Sequence, residues 1–219
     1  MKIAILGTGM VGNALGTKLV QVGHQIMIGS RTANSDAGQE WLRSINGKGK
    51  IGTFADAAAF GEIILDCTNG ANSLRALRQA GAANLRGKIL VQVSNPLDFS
   101  KGMPPSLTVC NTDSLGEQIQ HEFPDTRVVK GLNTVNCAVM VQPSLVPGDH
   151  NLFICGNYAA AKREVTARLG EWFGWKKENV IDLGEITSSR GTEMYLALWV
   201  RLWSVLGTPH FNIKVVRGR

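Results

Sequence analysis

Short apolar runs alternate along this chain with segments whose apolar residues recur at helical spacing. The apolar runs are mostly continuous in Val, Ile, Leu and Cys, which is typical of parallel strands covered on both faces. They predict strands at Lys2–Leu6, Gln25–Gly29, Ile63–Cys67, Ile89–Val93, Arg127–Leu132, Leu152–Cys155 and Val180–Leu183. Two further short strands are predicted at Ile51–Phe54 and Phe211–Val216.

Helical spacing predicts helices between several of these strands. Their apolar faces are formed by Val11/Ala14/Leu15/Leu19/Val22, Leu74/Leu77, Leu115/Ile119/Phe123 and Ala161/Val165/Leu169/Trp172. Alternating strands and helices imply right-handed crossovers, so the pattern predicts an α/β fold, a Rossmann-like doubly wound and mostly parallel sheet. Because no linker or break in composition interrupts the chain, residues 1–219 are predicted to form one domain with a short C-terminal helical extension.

The predicted C-terminal helix is long and apolar. Residues 194–206 read MYLALWVRLWSVL, with only Arg201 and Ser204 as clearly polar members. A helix of this length spans about 20 Å, which is less than the ~30 Å hydrocarbon core of a bilayer. We therefore expect this helix to be buried against the sheet or at a subunit interface. The expected assembly is a cytoplasmic homodimer without a membrane partner.

The composition is that of a globular protein and excludes several other classes. The 219 residues are 44% hydrophobic and 18% charged, which is ordinary for such a protein. The net charge is +6, but the basic residues are scattered and no aromatic residues are interleaved with them, so no nucleic-acid partner is expected. Four cysteines and four histidines are dispersed, so reduced thiols are expected and no metal site is predicted.

A glycine-rich sequence, GTGMVG at residues 7–12, follows the first predicted strand and opens the first predicted helix. That is the context in which G-x-G-x-x-G binds a dinucleotide. Gly7 permits the tight turn, Gly9 lets the backbone approach a pyrophosphate, and Gly12 allows the helix to pack closely on the strand.

The second predicted strand ends in Gly-Ser-Arg-Thr, without the acid that binds the ribose 2′-hydroxyl in NAD sites. Arg31 supplies a guanidinium for a 2′-phosphate, and the hydroxyls of Ser30 and Thr32 can add hydrogen bonds. The sequence therefore predicts NADP(H) rather than NAD(H) as the cofactor.

The sequence identifies no catalytic acid or base. Lys130 lies within a predicted strand, and Glu185 and Glu193 flank the last helix; without a recognisable partner, each is expected to be structural. Hydride transfer between a nicotinamide and a flavin-like ring needs mainly two stacked rings at reactive distance, so it fits this absence. Two alternatives stay open: an NADPH reductase of a small imine or carbonyl substrate, and a non-catalytic NADP(H)-sensing module.

Motifs along essentially the whole chain resemble those of the coenzyme F420-dependent NADP oxidoreductase family. They are GTGMVG, GSR, VSNP at 93–96, RVVKGLNTV at 127–135, ICG at 154–156 and the closing RGTE…LWVRLW…LGT…FNIKVVR. The resemblance implies a Rossmann domain with a few C-terminal elements, a dimer, and reversible hydride transfer between NADPH and an 8-hydroxy-5-deazaflavin. It leaves open whether the acceptor here is coenzyme F420 or a flavin.

The resemblance also implies roles for residues at the predicted carboxyl ends of strands, where open α/β sheets bind ligands. It assigns Thr8, Gly9, Met10 and Val11 to the pyrophosphate, Ser30 and Arg31 to the 2′-phosphate, and Thr68 and Asn69 to the nicotinamide ribose. Ser94 and Asn95 would border the cofactor and, together with Pro96, Asn133 and Thr134 of the acceptor site, wall the pocket of the second ring. No catalytic residue and no metal ligand is assigned.

Overall fold

The computed structural model describes residues 1–218, which form a mostly parallel sheet with helices packed on both of its faces. The strands are Lys2–Leu6 (β1), Gln25–Ser30 (β2), Lys50–Thr53 (β3), Ile63–Asp66 (β4), Ile89–Gln92 (β5), Leu97–Asp98 (β6), Ser106–Leu107 (β7), Arg127–Gly131 (β8), Leu152–Cys155 (β9) and Val180–Asp182 (β10). The helices are Met10–Gln21 (α1), Asp36–Ser44 (α2), Phe54–Phe60 (α3), Gly70–Ala80 (α4), Ala82–Leu85 (α5), Leu115–Glu122 (α6), Cys137–Val141 (α7), Ala159–Phe173 (α8) and Ser189–Leu206 (α9).

The order of the strands places a crevice beside β1. Along the main sheet the order is β10-β9-β8-β5-β4-β1-β2-β3, and the pairs from β3 to β8 are parallel. The chain leaves β1 toward β2 on one side, whereas β4 lies on the other side, so the carboxyl ends of β1 and β4 form the switch point at which such sheets bind ligands. β9 runs antiparallel to β8, β10 runs parallel to β9, and β6 and β7 form a separate small hairpin.

Alternating side chains of the strands enter two apolar cores, one on each face of the sheet. Ile3 and Ile5 of β1 join one core, whereas Ala4 and Leu6 join the other. α1, α2, α7 and α8 cover the first face, and α3, α4 and α6 cover the second. Because the central strands are buried on both sides, their sequences read as continuous apolar runs.

The predicted Rossmann-like fold is confirmed, and all but one of the predicted strands are present within one residue at each end. The strand predicted at Phe211–Val216 is wrong, because residues 207–218 form no strand. Phe211 instead stacks on Trp199, with ring centroids 5.3 Å apart. Asn212 Nδ2 donates to the backbone oxygen of Asn151 at 2.8 Å, and one backbone bond, from Asn151 N–H to the Ile213 oxygen at 2.9 Å, accompanies it without forming a strand ladder.

The last helix differs from its prediction at its N-terminal end. α9 begins at Ser189 rather than Met194, and its first turns bury three polar side chains: Ser189, Thr192 and Glu193. Farther along, its apolar side chains at Leu196, Trp199 and Val200 form a third, smaller apolar cluster. In residues 1–218 no helix is both long and apolar enough to cross a membrane.

Candidate functional site

The turn after β1 fits against the end of β4 only because residue 7 is glycine. Gly7 has a φ of 116°, and a Cβ there would lie 2.7 Å from the backbone oxygen of Cys67. Gly12 lies beneath the same turn, where a Cβ would overlap the Gly7 carbonyl. A Cβ on Gly9 would instead point into open space. The loop is therefore closed toward the protein and open toward the crevice, as a pyrophosphate cradle requires.

The first cleft, of about 280 Å³, runs from this turn toward the end of β2. It is lined by Gly7, Thr8, Gly9, Arg31, Phe54, Cys67, Thr68, Asn69, Asn72, Arg75, Ala76 and Gln79. This lining includes two arginines and no carboxylate, and the first turn of α1 carries no acid. Because a dinucleotide phosphate is anionic and α1 presents free backbone N–H groups, the donor set fits NADP(H).

The two hydroxyl residues beside Arg31 are less available than the sequence suggested. Neither Ser30 nor Thr32 lines the first cleft. Ser30 is buried, and its hydroxyl donates to the backbone oxygen of Thr32 at 2.6 Å. Arg31 is exposed and lines the cleft, so it is the residue of this trio that can reach a ligand with its charge.

A second cleft, of about 250 Å³, continues from the first across the ends of β4, β5 and β8. It is lined by Met10, Val11, Cys67, Thr68, Asn69, Gly70, Val93, Ser94, Asn95, Leu97, Phe99, Asn133, Thr134, Val135, Asn136, Cys137, Met140, Leu196 and Trp199. This list lacks Asp, Glu, Lys, Arg and His, so no charged group among its residues faces a ligand. The two clefts share Cys67, Thr68 and Asn69.

The structure brings most of the predicted acceptor residues together and leaves Pro96 behind them. Pro96 is buried and does not line the second cleft. The Asn95–Pro96 backbone packs on the first residue of α4, Gly70, where a Cβ would overlap the Asn95 carbonyl. This contact fixes the loop after β5 against the N-terminus of α4.

Asn95 and Asn133 bind each other across the end of the sheet. Asn95 Nδ2 donates to the backbone oxygen of Asn133 at 2.8 Å, and Asn133 Nδ2 donates to Asn95 Oδ1 at 2.9 Å and to the backbone oxygen of Thr192 at 3.2 Å. Asn133 Oδ1 and the Thr134 hydroxyl are buried without a hydrogen-bond partner. A buried polar atom without a partner is costly, and both residues line the second cleft.

The hydroxyls of two predicted ligand-binding residues, Ser94 and Thr68, form hydrogen bonds within the protein that hold the loops. Ser94 Oγ donates to the backbone oxygen of Thr68 at 2.8 Å. The Thr68 hydroxyl donates to Asp66 Oδ1 at 2.7 Å, and Ser73 of α4 donates to the other carboxylate oxygen of Asp66. The buried carboxylate of Asp66 therefore anchors the loop between β4 and α4.

The Cys67 thiol borders both clefts but is not an activated nucleophile. Burial, with a smaller contribution from the Asp66 carboxylate, raises the pKa of Cys67 well above its ordinary value. Burial also raises the pKa of the other thiol in the second cleft, Cys137. Since the thiolate is the reactive form, the arrangement provides no basis for covalent catalysis by these residues.

Lys130 and Glu193 form a buried ion pair that the sequence did not reveal. Lys130 Nζ donates to Glu193 Oε1 at 2.7 Å, to the backbone oxygen of Ser94 at 2.6 Å and to the Gln92 side-chain oxygen. Both charged side chains are 1% exposed. Burial lowers the pKa of Lys130, and the Glu193 carboxylate opposes that change. The pair lies behind the loop after β5 and outside the lining of the second cleft.

Glu193 also caps α6, so one carboxylate joins three elements. Its two oxygens accept hydrogen bonds from the backbone N–H groups of Leu115 at 2.9 Å and Gly116 at 3.1 Å, at the positive end of α6. Gly116 leaves room for α9, because a Cβ there would overlap Ser189. These contacts agree with the expectation that Lys130 and Glu193 are structural. The two residues are 63 positions apart in the sequence, and the sequence gives no sign that they pair.

Comparisons with known proteins identify a family that the chain resembles in sequence and structure. The profile of the family described as "NADP oxidoreductase coenzyme F420-dependent" matches residues 2–96, which include the glycine turn, Arg31 and the loop after β5. The crystal structure of a candidate F420-dependent NADP reductase from Arthrobacter sp. FB24 is 49% identical in sequence. It superposes with a TM-score of 0.92 over 99% of this chain and 100% of that chain.

More distant relatives share the sequence or the fold over part of their length. Metalloreductase STEAP3 of Rattus norvegicus is 28% identical over 206 residues, which are 93% of this chain and 38% of that protein. The chain thus spans under two-fifths of that curated relative. An imine reductase from Myxococcus stipitatus in complex with NADP+ is 21% identical, with a TM-score of 0.66 over 94% of this chain and 63% of that chain, and supports the fold. The family profile and the likeness to the Arthrobacter structure together show that the chain belongs to the coenzyme F420-dependent NADP oxidoreductase family.

Proposed function

We propose that this protein transfers hydride between NADP(H) in the first cleft and a flavin-like or deazaflavin ring in the second. The observation that supports this proposal is the continuity of the two clefts through Cys67, Thr68 and Asn69. A dinucleotide whose phosphates lie at the glycine turn extends along these residues toward the uncharged second cleft. NADPH, when bound, supplies the hydride. The protein positions the two rings and presents no charged side chain to the second one.

On this proposal, each cleft binds one part of the reacting pair. The turn at Thr8 and Gly9 and the N-terminus of α1 at Met10 and Val11 bind the pyrophosphate, and Arg31 binds the 2′-phosphate. Because the Ser30 hydroxyl donates a hydrogen bond to the Thr32 carbonyl, the role of Ser30 in this proposal is to fix the backbone at the end of β2. Thr68 and Asn69, at the junction of the two clefts, border the nicotinamide ribose.

The acceptor ring is held, in this proposal, by amide and hydroxyl groups rather than by charge. Asn133 Oδ1 accepts a hydrogen bond from a ring N–H, and the Thr134 hydroxyl bonds to a ring oxygen. Flavins and deazaflavins both carry an N–H flanked by carbonyls, which matches this pair. Ser94 and Asn95 hold the loop that borders the second cleft, and Pro96 stiffens it from behind.

A panel of acceptors tests this function directly. The protein is incubated with NADPH and, separately, with coenzyme F420, FMN, FAD and a cyclic imine, and the nicotinamide absorbance is followed. A ferric chelate is added with and without flavin, because the curated relative is a metalloreductase. We expect turnover with a flavin or F420, and ferric reduction only when flavin is present. Turnover with the imine alone, or with no acceptor while NADPH still binds, would contradict the proposal.

A further inference from the structure

One face of α4 forms a wall of the first cleft. Asn72, Arg75, Ala76 and Gln79 line that cleft and are spaced as neighbours on one helical face. Arg31, at the end of β2, lines the same cleft. Arg75 was not among the residues that the sequence motifs pointed to, because it lies outside them on an ordinary helical segment.

The charge of Arg75 is not neutralised by a carboxylate of the protein. Within residues 1–218 neither Arg75 nor Arg31 takes part in an ion pair, and the first cleft is lined by no acid. Arg78, one turn later on α4, is different: its Nε and Nη2 donate to the two carboxylate oxygens of Glu122 at 2.6 and 2.7 Å. Two arginines on the same helix therefore have different electrostatic surroundings.

A ligand with a phosphomonoester needs more positive charge than one arginine provides. Such a group carries about −1.5 to −2 charges at neutral pH. In the proposed placement the N-terminus of α1 is occupied by the pyrophosphate, so Arg31 alone would leave the 2′-phosphate undercompensated. We propose that Arg75 is a second cationic contact for the 2′-phosphate and, with Arg31, determines the preference for NADP(H) over NAD(H).

This inference rests on the proposed position of the cofactor, so its test uses nucleotide fragments and needs no catalysis. Adenosine 2′,5′-bisphosphate and AMP are titrated calorimetrically into the wild type and into Arg31→Ala, Arg75→Ala and Arg78→Ala. Arg75→Ala should weaken binding of the bisphosphate about tenfold, equal to about 1.4 kcal/mol, and that of AMP less than about twofold. Arg78→Ala, the matched control, should change neither, and Arg75→Lys should recover part of the affinity.

The outcomes separate this inference from the placement on which it depends. If Arg31→Ala reduces the preference for the bisphosphate and Arg75→Ala does not, Arg75 is not a specificity residue. Equal losses for bisphosphate and AMP in Arg75→Ala would also overturn the inference, because they indicate a contact with the adenosine portion. If neither Arg31→Ala nor Arg75→Ala alters the preference, the cofactor does not lie in the first cleft as proposed.

Discussion

Replacing Lys130 with Met should destabilise the fold strongly, because it leaves the carboxylate of Glu193 buried without its cation. Both side chains are 1% exposed, and losing one partner of a buried pair typically costs about 3–5 kcal/mol. Glu193 would keep its bonds from Leu115 and Gly116, which favours the lower end of that range. The Gln92 side-chain oxygen would lose its donor, which favours the upper end, whereas the Ser94 backbone oxygen would still accept from Gln92 Nε2 at 3.2 Å. We therefore expect a loss of about 4 kcal/mol.

The matched control is Lys162→Met. Lys162 is also a mostly buried lysine in an ion pair, with its Nζ 2.8 Å from Asp182 Oδ1. The Asp182 side chain is 50% exposed, so water can replace the lost cation and the cost should be about 1 kcal/mol or less. Urea unfolding followed by tryptophan fluorescence gives both free energies. Equal losses in the two variants would refute the reasoning that burial of the remaining charge sets the cost.

The pH dependence of stability gives an independent check on Lys130. Burial lowers the pKa of Lys130 in the folded protein, whereas the pKa of a lysine in the unfolded chain is about 10.4. Between these two values the unfolded chain binds more protons than the folded one, so the contribution of Lys130 to stability rises with pH. The free energy of unfolding of the wild type relative to Lys130→Met should therefore increase as pH is raised through the alkaline range toward 10.4. A decrease would contradict the lowered pKa.

Three further predictions concern the second cleft and the assembly. Thr134→Val removes a buried hydroxyl that has no partner, so the free energy of unfolding should not fall. The KM for the acceptor should rise while the affinity for NADPH stays unchanged. A fall in the free energy of unfolding of more than about 1 kcal/mol would contradict this prediction. Gly70→Ala should lower the free energy of unfolding by about 1–3 kcal/mol in thermal or urea unfolding, because the new Cβ would overlap the Asn95 carbonyl. If the variant is as stable as the wild type, the loop after β5 moves aside at no cost. The homodimer remains a prediction: Trp203 is 41% exposed and Leu206, three residues later on the same helical face, is 53% exposed. Light scattering should give a dimer for the wild type and a monomer for Trp203→Glu, and a monomeric wild type would exclude the dimer.

The strands and the glycine turn could be predicted from sequence because their signals are local. Buried parallel strands read as apolar runs, and the requirement for glycine at residue 7 arises within one turn. A local signal also exists for α3: Thr53 and Asp56 form a capping box, which begins a helix at Phe54, where the apolar pattern predicts the end of a strand.

The parts of the site that were missed depend on contacts between distant segments. Lys130 and Glu193 are 63 residues apart, and nothing near either residue identifies its partner. Arg75 lies on an ordinary amphipathic helix, and only the strand order brings that helix to the cleft that contains Arg31. Trp199 lies in the helix that was expected against the sheet or at a subunit interface, and it is 9% exposed because the C-terminal segment returns and stacks Phe211 against it.

The rotation of α9 about its own axis affects both the stability of the protein and the shape of its second cleft. Successive residues of an α-helix are rotated by about 100° and displaced by about 1.5 Å. If the first turn of α9 keeps its place, a single residue inserted near Gly191 would rotate Glu193 away from Lys130 and carry Leu196 and Trp199 off the cleft wall. An insertion or deletion before Glu193 therefore cannot reshape the second cleft without also disturbing the buried ion pair, whereas point substitutions at Leu196 or Trp199 can. Divergence of acceptor specificity on this scaffold should accordingly proceed by substitution within a helix of constant length.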